Sequence, residues 1–589
     1  MRNFLLLLLP IFALCSCGNQ KKQNDRAKAN INDIAENYYE ERLSLYPFEA
    51  ASAGDMRFND QFPIDISDGY RAKLKTFYEK YKSQLEAIPS SDLPSKDKTS
   101  YDLLKWECDI ALEELALPLN LMPINQFDAK HLNLPLLGSG SSTQPFKTVK
   151  DYDNWIKRAS IFPMWADTAI QNMKRGIAEG IVLPKALAVK VLPQLKSVIL
   201  PAEKSIFWNP VKEFPSEIEK PEQIRLRQAF KNLIEKEINP AYQRLSVFFE
   251  KDYIPNCRES SGIGDIPQGM EIYNHFVKLW TTSAISPDEI FELGQKEVQR
   301  IKEEMEKVKT EVGFKGDIKS FFEHVNHLPA LHPYTKDQQA IDAFHTIHHK
   351  MQPQLIKLFD LTPKTAFEIR QTESFREASG SAEYQPGAPD GSRPGIFYCP
   401  VLDPKNYNVF QDEALFLHEA IPGHHYQCSL QAENTDLPRF RRFLWYGAYG
   451  EGWALYTESL GKELGLYTDP YQYFGKLGME MHRAIRLVVD VGIHYKGWTR
   501  EQAIAFSLEN EAETEENTIA EIERYMAVPG QALSYKVGQL KIVELRQKSE
   551  KDLGLKFDIR KFHNETLKHG CLTLGIYEKY INDWISATK

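Results

Sequence analysis

Apolar residues recur at spacings of three and four over 31–45, 71–88, 99–115, 155–179, 184–200 and 225–249. This is the period of the α-helix, whose apolar stripe must be buried. A chain that repeats it this often is bound to a mainly α body built by helix-on-helix packing. Ser286-Pro287-Asp288-Glu289 is a capping box that opens a helix reaching about residue 309, and Thr499 with Gln502 opens another expected to reach about residue 525. Pro184 suits a first helical turn, whereas Pro163 and Pro193 mark bends or ends. The pattern lapses over 116–145, read as loop, and over 384–404, where Pro386-Gly387, Pro389-Asp390-Gly391 and Pro394-Gly395 are turn formers. A short strand or β hairpin is expected there, with helices returning at Asp412. No repeat or composition break divides the chain, so residues 31–589 are expected to form a single large helical domain.

The N-terminus reads as a targeting segment. Arg2 precedes an apolar stretch over 4–14, too short for the roughly 20 residues that span a bilayer. It ends in Leu14-Cys15-Ser16-Cys17, the form of a bacterial lipoprotein signal over 1–16. Cleavage before Cys17 would leave that residue lipidated, with 17–30 as a polar tether to a membrane; a plain secretory signal is the alternative. Either places the chain in the cell envelope, on the periplasmic or outer-surface side for the lipidated form. The other cysteines, Cys108, Cys257, Cys399, Cys428 and Cys571, are far apart and form no metal motif, though one or two disulfides are compatible with an oxidising compartment. A net charge of -9 offers no basic surface for nucleic acid.

The densest polar cluster is His418-Glu419-Ala420-Ile421-Pro422-Gly423-His424-His425. Zinc peptidases place two histidines one helical turn apart as HExxH, with the glutamate aimed at the water the metal activates. Here the second histidine comes later, and a proline intervenes. On a straight helix His418 and His425 would share a face about 10 Å apart, long for two imidazoles with Zn–N bonds of about 2.1 Å. Alternatively Pro422 interrupts the hydrogen-bond ladder, Gly423 takes up unusual dihedrals, and a bulge returns His424 to the second ligand position. The bulge is the favoured reading; the other histidine then faces substrate or supports a ligand. Glu451, in Tyr449-Gly450-Glu451-Gly452-Trp453, supplies a third ligand from a returning helix, and Glu458, seven residues on, suits an orienter of a ligand histidine. His345, His348 and His349 have ligand spacing but lie in a Lys- and Gln-rich pattern and read as a solvated face.

Arg486, Asp490 and His494 line one face of an otherwise apolar helix. Arg486 could clamp a substrate carboxylate or pair with Asp490, and His494 could donate to an oxyanion. Tyr525 and Tyr535 flank the break at Pro529-Gly530 and are further donor candidates, or simply packing residues.

Segments 418–427, 451–458, 483–498 and 525–538 together resemble the bacterial family catalogued as domain of unknown function 885. That family is similar to the gluzincin metallopeptidases, among them angiotensin-converting enzyme, thimet oligopeptidase and the Taq-type carboxypeptidases. The resemblance implies a helical metallopeptidase-like body with a deep cleft, Zn2+ held by His418, His424 and Glu451, and Glu419 as general base. The expected reaction is hydrolysis of short peptides, oligopeptidase or carboxypeptidase-like. A non-catalytic lipoprotein that binds peptides or a partner, and a zinc amidase acting on a non-peptide or cell-wall amide, are the alternatives.

Overall fold

Both capping boxes form: Ser286 and Glu289 close the N-terminus of the helix Pro287–Glu311, and Thr499 and Gln502 that of Arg500–Asn510. In each, side chains satisfy backbone N–H groups that have no intrahelical acceptor. The computed structural model describes residues 16–373, 381–388, 391 and 393–589, of which 16–30 and residue 92 are described by their backbone alone. The leader expected over 1–15 and the side chain of Cys17 lie outside this description. The backbone is helical over Ser16–Leu45, so the segment expected as a tether runs straight into the first packed helix.

The body is mainly helical, with one small sheet. Strand β1 (Phe367–Gln371) pairs in parallel with β3 (Gly395–Cys399), and β2 (Glu383–Gln385) pairs with β3 antiparallel, setting Tyr384 opposite Phe397. The β2–β3 pair answers to the expected hairpin. All five residues of β3 are buried, as a strand covered on both faces must be. Some sequence expectations need correction. The segment 116–145 contains a helix, Lys130–Gly138, which carries Pro135 inside it. The helix expected to run from 500 to 525 is two, Arg500–Asn510 and Glu515–Ala527, the second with its own cap at Thr514. Among the described residues Cys108, Cys257, Cys428 and Cys571 are thiols outside any disulfide, so the one or two disulfides compatible with the composition are not formed among them.

The largest core cluster joins both ends of the chain. Ile31, Tyr38 and Leu104 pack in the same cluster as Trp453, Ile542 and Ile581. At the centre of the C-terminal half lies the helix Pro470–His494, buried along most of its length and flanked by Pro287–Glu311. Gly294 lets these two helices touch, since a Cβ there would stand 2.7 Å from the Cβ of Leu487. The helix Gly447–Glu458 lies beside Leu533–Leu553 in the same way: a Cβ on Gly538 would stand 1.7 Å from the Ala448 carbonyl oxygen. Gly538→Ala is therefore expected to lower stability by about 1–3 kcal/mol through overpacking, read as a shift in denaturation midpoint. An unchanged midpoint would show that the two helices do not approach this closely.

Candidate metal centre

The helix Asp412–Glu419 opens with Asp412 and Glu413, acidic groups that favour an N-terminus. It stops at Ala420, whose dihedrals (φ -104, ψ -107) leave the helical region, and a second helix begins at His424 and runs to Glu433. Proline has no N–H for the ladder, so Pro422 suits this break. Gly423 is required by contact: a Cβ would lie 1.9 Å from the His418 carbonyl oxygen. The break is tied to the neighbouring helix Gly447–Glu458. Trp453 Nε1 donates to the Pro422 carbonyl at 2.9 Å, and Thr457 Oγ1 donates to the Leu417 carbonyl at 2.8 Å.

This arrangement brings His418, His424 and Glu451 together. One ligand-type atom from each lies within 4.8 Å of the others. His418 Nε2 and His424 Nε2 are each 3.5 Å from Glu451 Oε2, and the two imidazole planes stand at 89°. The edge of a tetrahedron with bonds of about 2.1 Å is about 3.4 Å, so the spacing fits ligands around one small divalent cation. His418 Nδ1 is 2.8 Å from Glu458 Oε1, both groups being buried. That bond would keep Nδ1 protonated and leave Nε2 as the ligand atom when a cation displaces its proton. Among the described residues this is the one such cluster of histidine, cysteine and carboxylate groups. His345 and His349 are exposed and His348 is half-buried, stacked against His349 and near Phe416.

His425 turns elsewhere. Its Nδ1 meets the Tyr384 hydroxyl at 2.9 Å, its ring packs on Phe367, and burial depresses its pKa to about 4. Gly395 makes room for this bond, since a Cβ there would lie 2.2 Å from the Tyr384 hydroxyl. The small sheet thus anchors the second half-helix through His425, while His424 faces Glu451.

The cluster has more carboxylates than its imidazoles neutralise. Burial opposes protonation of His418, yet hydrogen bonds to Glu451 and Glu458 and the nearby charge of Glu419 raise its pKa to about 10. Burial alone would raise Glu451, but His424 and His418 hold it well below the usual carboxylate range. Glu419, whose Oε1 is 4.0 Å from His418 Nε2, is raised by burial and by Glu451, against the pull of both histidines and Arg483. A divalent cation would supply the positive charge that these groups otherwise draw from protons.

The remaining candidates occupy a neighbouring network. Arg486 Nε donates to the Tyr525 hydroxyl at 3.0 Å, Nη2 donates to Glu521 at 2.9 Å, and the guanidinium lies 4.8 Å from the Tyr535 ring centroid. Its Nη1 is buried without a partner among the described residues. Three expectations are corrected. Tyr525 already gives its proton to Glu521 at 2.8 Å, so it is a strut for Arg486 rather than a free donor. His494 spends both ring nitrogens on backbone, Nδ1 accepting from Ile263 N–H and Nε2 bonding the Tyr525 carbonyl, each at 3.0 Å. It has no N–H left for an oxyanion. Nor does Asp490 pair with Arg486; it accepts from the Tyr273 hydroxyl and the Gly530 N–H. The Tyr535 hydroxyl makes no hydrogen bond within the described residues and lies in the first turn of the helix packed beside Glu451's helix.

Sequence reasoning missed Trp445. Its ring lies 5.7 Å from that of His424 and rests on Gly450, where a Cβ would come within 2.2 Å of it. Trp445 is 45% exposed and lines two cavities of ≈ 570 and ≈ 590 Å³, which share Arg42, Tyr46 and Glu107 in their walls. The signal was present as a tryptophan two residues before the Gly447 helix, but nothing local marked its partner.

The chain belongs to the family described as bacterial protein of unknown function (DUF885), whose model matches residues 47–581. Two solved structures share the fold. A crystal structure named "putative lipoprotein from Colwellia psychrerythraea" is 27% identical, with a TM-score of 0.88 over 95% of this chain and 99% of its own. A second, a "putative lipoprotein of unknown function from Shewanella oneidensis", is 18% identical, with a TM-score of 0.74 over 94% and 99%, and bears on the fold alone. No curated protein matches the sequence.

Glu458→Gln keeps the shape of the His418 support and removes its charge. If the centre takes up zinc, the substitution is expected to weaken that binding about tenfold or more, as loss of a partner behind a ligand histidine does. Competition titration against a chromophoric chelator measures this; an unchanged affinity would mean that Glu458 merely fills space.

Proposed function

We propose that this chain is a zinc-dependent peptidase of the gluzincin type that hydrolyses short peptides. The observation that carries the reading is the convergence of His418, His424 and Glu451, with the Nε2 of each histidine 3.5 Å from Glu451 Oε2, Glu419 beside them and Glu458 behind His418. Two histidines and one carboxylate with a fourth position left open is the donor set of catalytic rather than structural zinc. When bound there, zinc supplies Lewis acidity, acidifying water and polarising a scissile carbonyl.

The protein's own residues do the rest. Glu419 takes a proton from the attacking water and returns it to the leaving amine. Glu458 keeps His418 in one tautomer and orientation. The Tyr535 hydroxyl, without a hydrogen bond among the described residues, would donate to the developing oxyanion, with the Nη1 of Arg486 as a second donor. The buried setting of His418 and His424 favours narrow, flexible substrates over folded proteins.

Attachment to a membrane by lipid on Cys17, in the cell envelope, belongs to the same reading. It draws on the leader sequence and on the lipoprotein descriptions of both structural relatives. Among the described residues no helix is long and apolar enough to cross a membrane.

Glu419→Gln is expected to bind zinc as the wild type does and to lose about 10²–10⁴-fold in kcat, measured on a peptide library by mass spectrometry with metal content determined in parallel. Wild-type turnover by that variant would remove Glu419 as base. A wild-type protein that carries zinc and cleaves no peptide would favour the non-catalytic binding reading.

A further inference from the structure

Arg483 stands out among the cations near the metal centre. Arg486 has Glu521 at 2.9 Å, and His482 has Glu511 at 2.6 Å and Glu521 at 3.4 Å. Arg483 has no carboxylate within 4.0 Å among the described residues. Its Nη1 reaches only the Met479 carbonyl at 3.5 Å, a weak contact. Its Nε is buried with no partner among the described residues. A guanidinium presents five donors in a planar fork and is costly to leave half-desolvated and unpaired.

This side chain lines a cavity of ≈ 320 Å³ with His482, Phe410, Phe474, Met305 and Phe322. Phe410 and Gln411, which also borders the cavity, lead directly into the helix of His418 and Glu419. They are pressed onto the helix Pro470–His494 at Gly475, where a Cβ would lie 1.8 Å from the Phe410 carbonyl oxygen. The cavity therefore lies at the seam between the helix that carries the base and the helix that carries Arg483, and the charge of Arg483 is felt at Glu419. Of the acidic groups in its wall, Glu511 is taken by His482 and Ser507, and Glu513 accepts from Asn517. Neither occupies Arg483.

We propose that this cavity receives the C-terminal residue of a peptide, with Arg483 holding its α-carboxylate and the phenylalanine and methionine walls taking an apolar side chain. The volume lies at the low end of ligand pockets, which suits one residue rather than a continuing chain. A bidentate guanidinium–carboxylate pair is the strong, directional contact that such recognition uses. This inference rests on the peptidase reading and narrows it: cleavage proceeds from the carboxyl end.

The test uses the full mature chain loaded with zinc and carrying Glu419→Gln, so that peptides bind without turnover. Calorimetry compares an apolar tripeptide bearing a free C-terminus with its C-terminal amide. The free acid is expected to bind at least about tenfold tighter. Adding Arg483→Gln should bring the ratio close to one, and Arg483→Lys should restore part of it. Equal binding of acid and amide, or a ratio that survives Arg483→Gln in a variant with the parent melting temperature, overturns the proposal. Hydrolysis by the zinc-loaded chain with Glu419 intact is measured on the same peptides. An acid preference that depends on Arg483 but comes without cleavage supports the carboxylate site and refutes the peptidase reading.

Discussion

The contact between Gly423 and the carbonyl oxygen of His418 governs the centre of this protein. A straight helix through 412–433 could not bring His424 to the position it holds, and a side chain at 423 would forbid the break that does. Trp453 holds the Pro422 carbonyl and Thr457 holds that of Leu417, so the helix Gly447–Glu458 both stabilises the break and delivers Glu451 into it. One helix thus supplies the lock, the third ligand-type group and, through Glu458, the support behind His418. The close glycine seam with the helix Leu533–Leu553 then fixes that helix from its other side. The geometry is held from several directions, as a preorganised site requires.

Charge accounts for why such a cluster persists in a buried setting. Glu419, Glu451 and Glu458 surround two imidazoles, and burial penalises every ionised form. The raised pKa of His418 and the depressed one of Glu451 show ligand-type groups leaning on one another for compensation. Nearby, the helix Pro470–His494 carries a compensated group, Glu480 against Lys476 and Lys536. Satisfied networks of that kind serve the fold. On this helix Arg486 Nη1 and Arg483 Nε are buried without a partner among the described residues, and Arg483 lines the neighbouring cavity.

Much of this was legible in the sequence because it is local. Ser286 and Thr499 announced their helices through side-chain capping within three residues, and Pro422-Gly423 announced a break within one turn. The spacing from His424 to Glu451 was readable as a loop and a returning helix. What escaped were features decided by distant partners. His494 reads as an oxyanion donor in isolation, but the Tyr525 carbonyl takes its Nε2 and Ile263, more than two hundred residues earlier, takes its Nδ1. Tyr525 reads as a free donor until Glu521 and Arg486 close on it. The helix Lys130–Gly138 was hidden by its own proline and by flanking Gly and Ser residues. Trp445 carried no local mark because its significance is a tilted ring contact with His424, more than twenty residues earlier in the chain.

The central claim is that His418, His424 and Glu451 bind one zinc ion and that His425 does not. Zinc stoichiometry after dialysis, determined by plasma mass spectrometry on the wild type and on His424→Ala and His425→Ala, tests it most directly. The account predicts one zinc per chain in the wild type, close to none in His424→Ala, and one retained in His425→Ala. A wild type without zinc, or loss of the metal from His425→Ala with retention in His424→Ala, would contradict it.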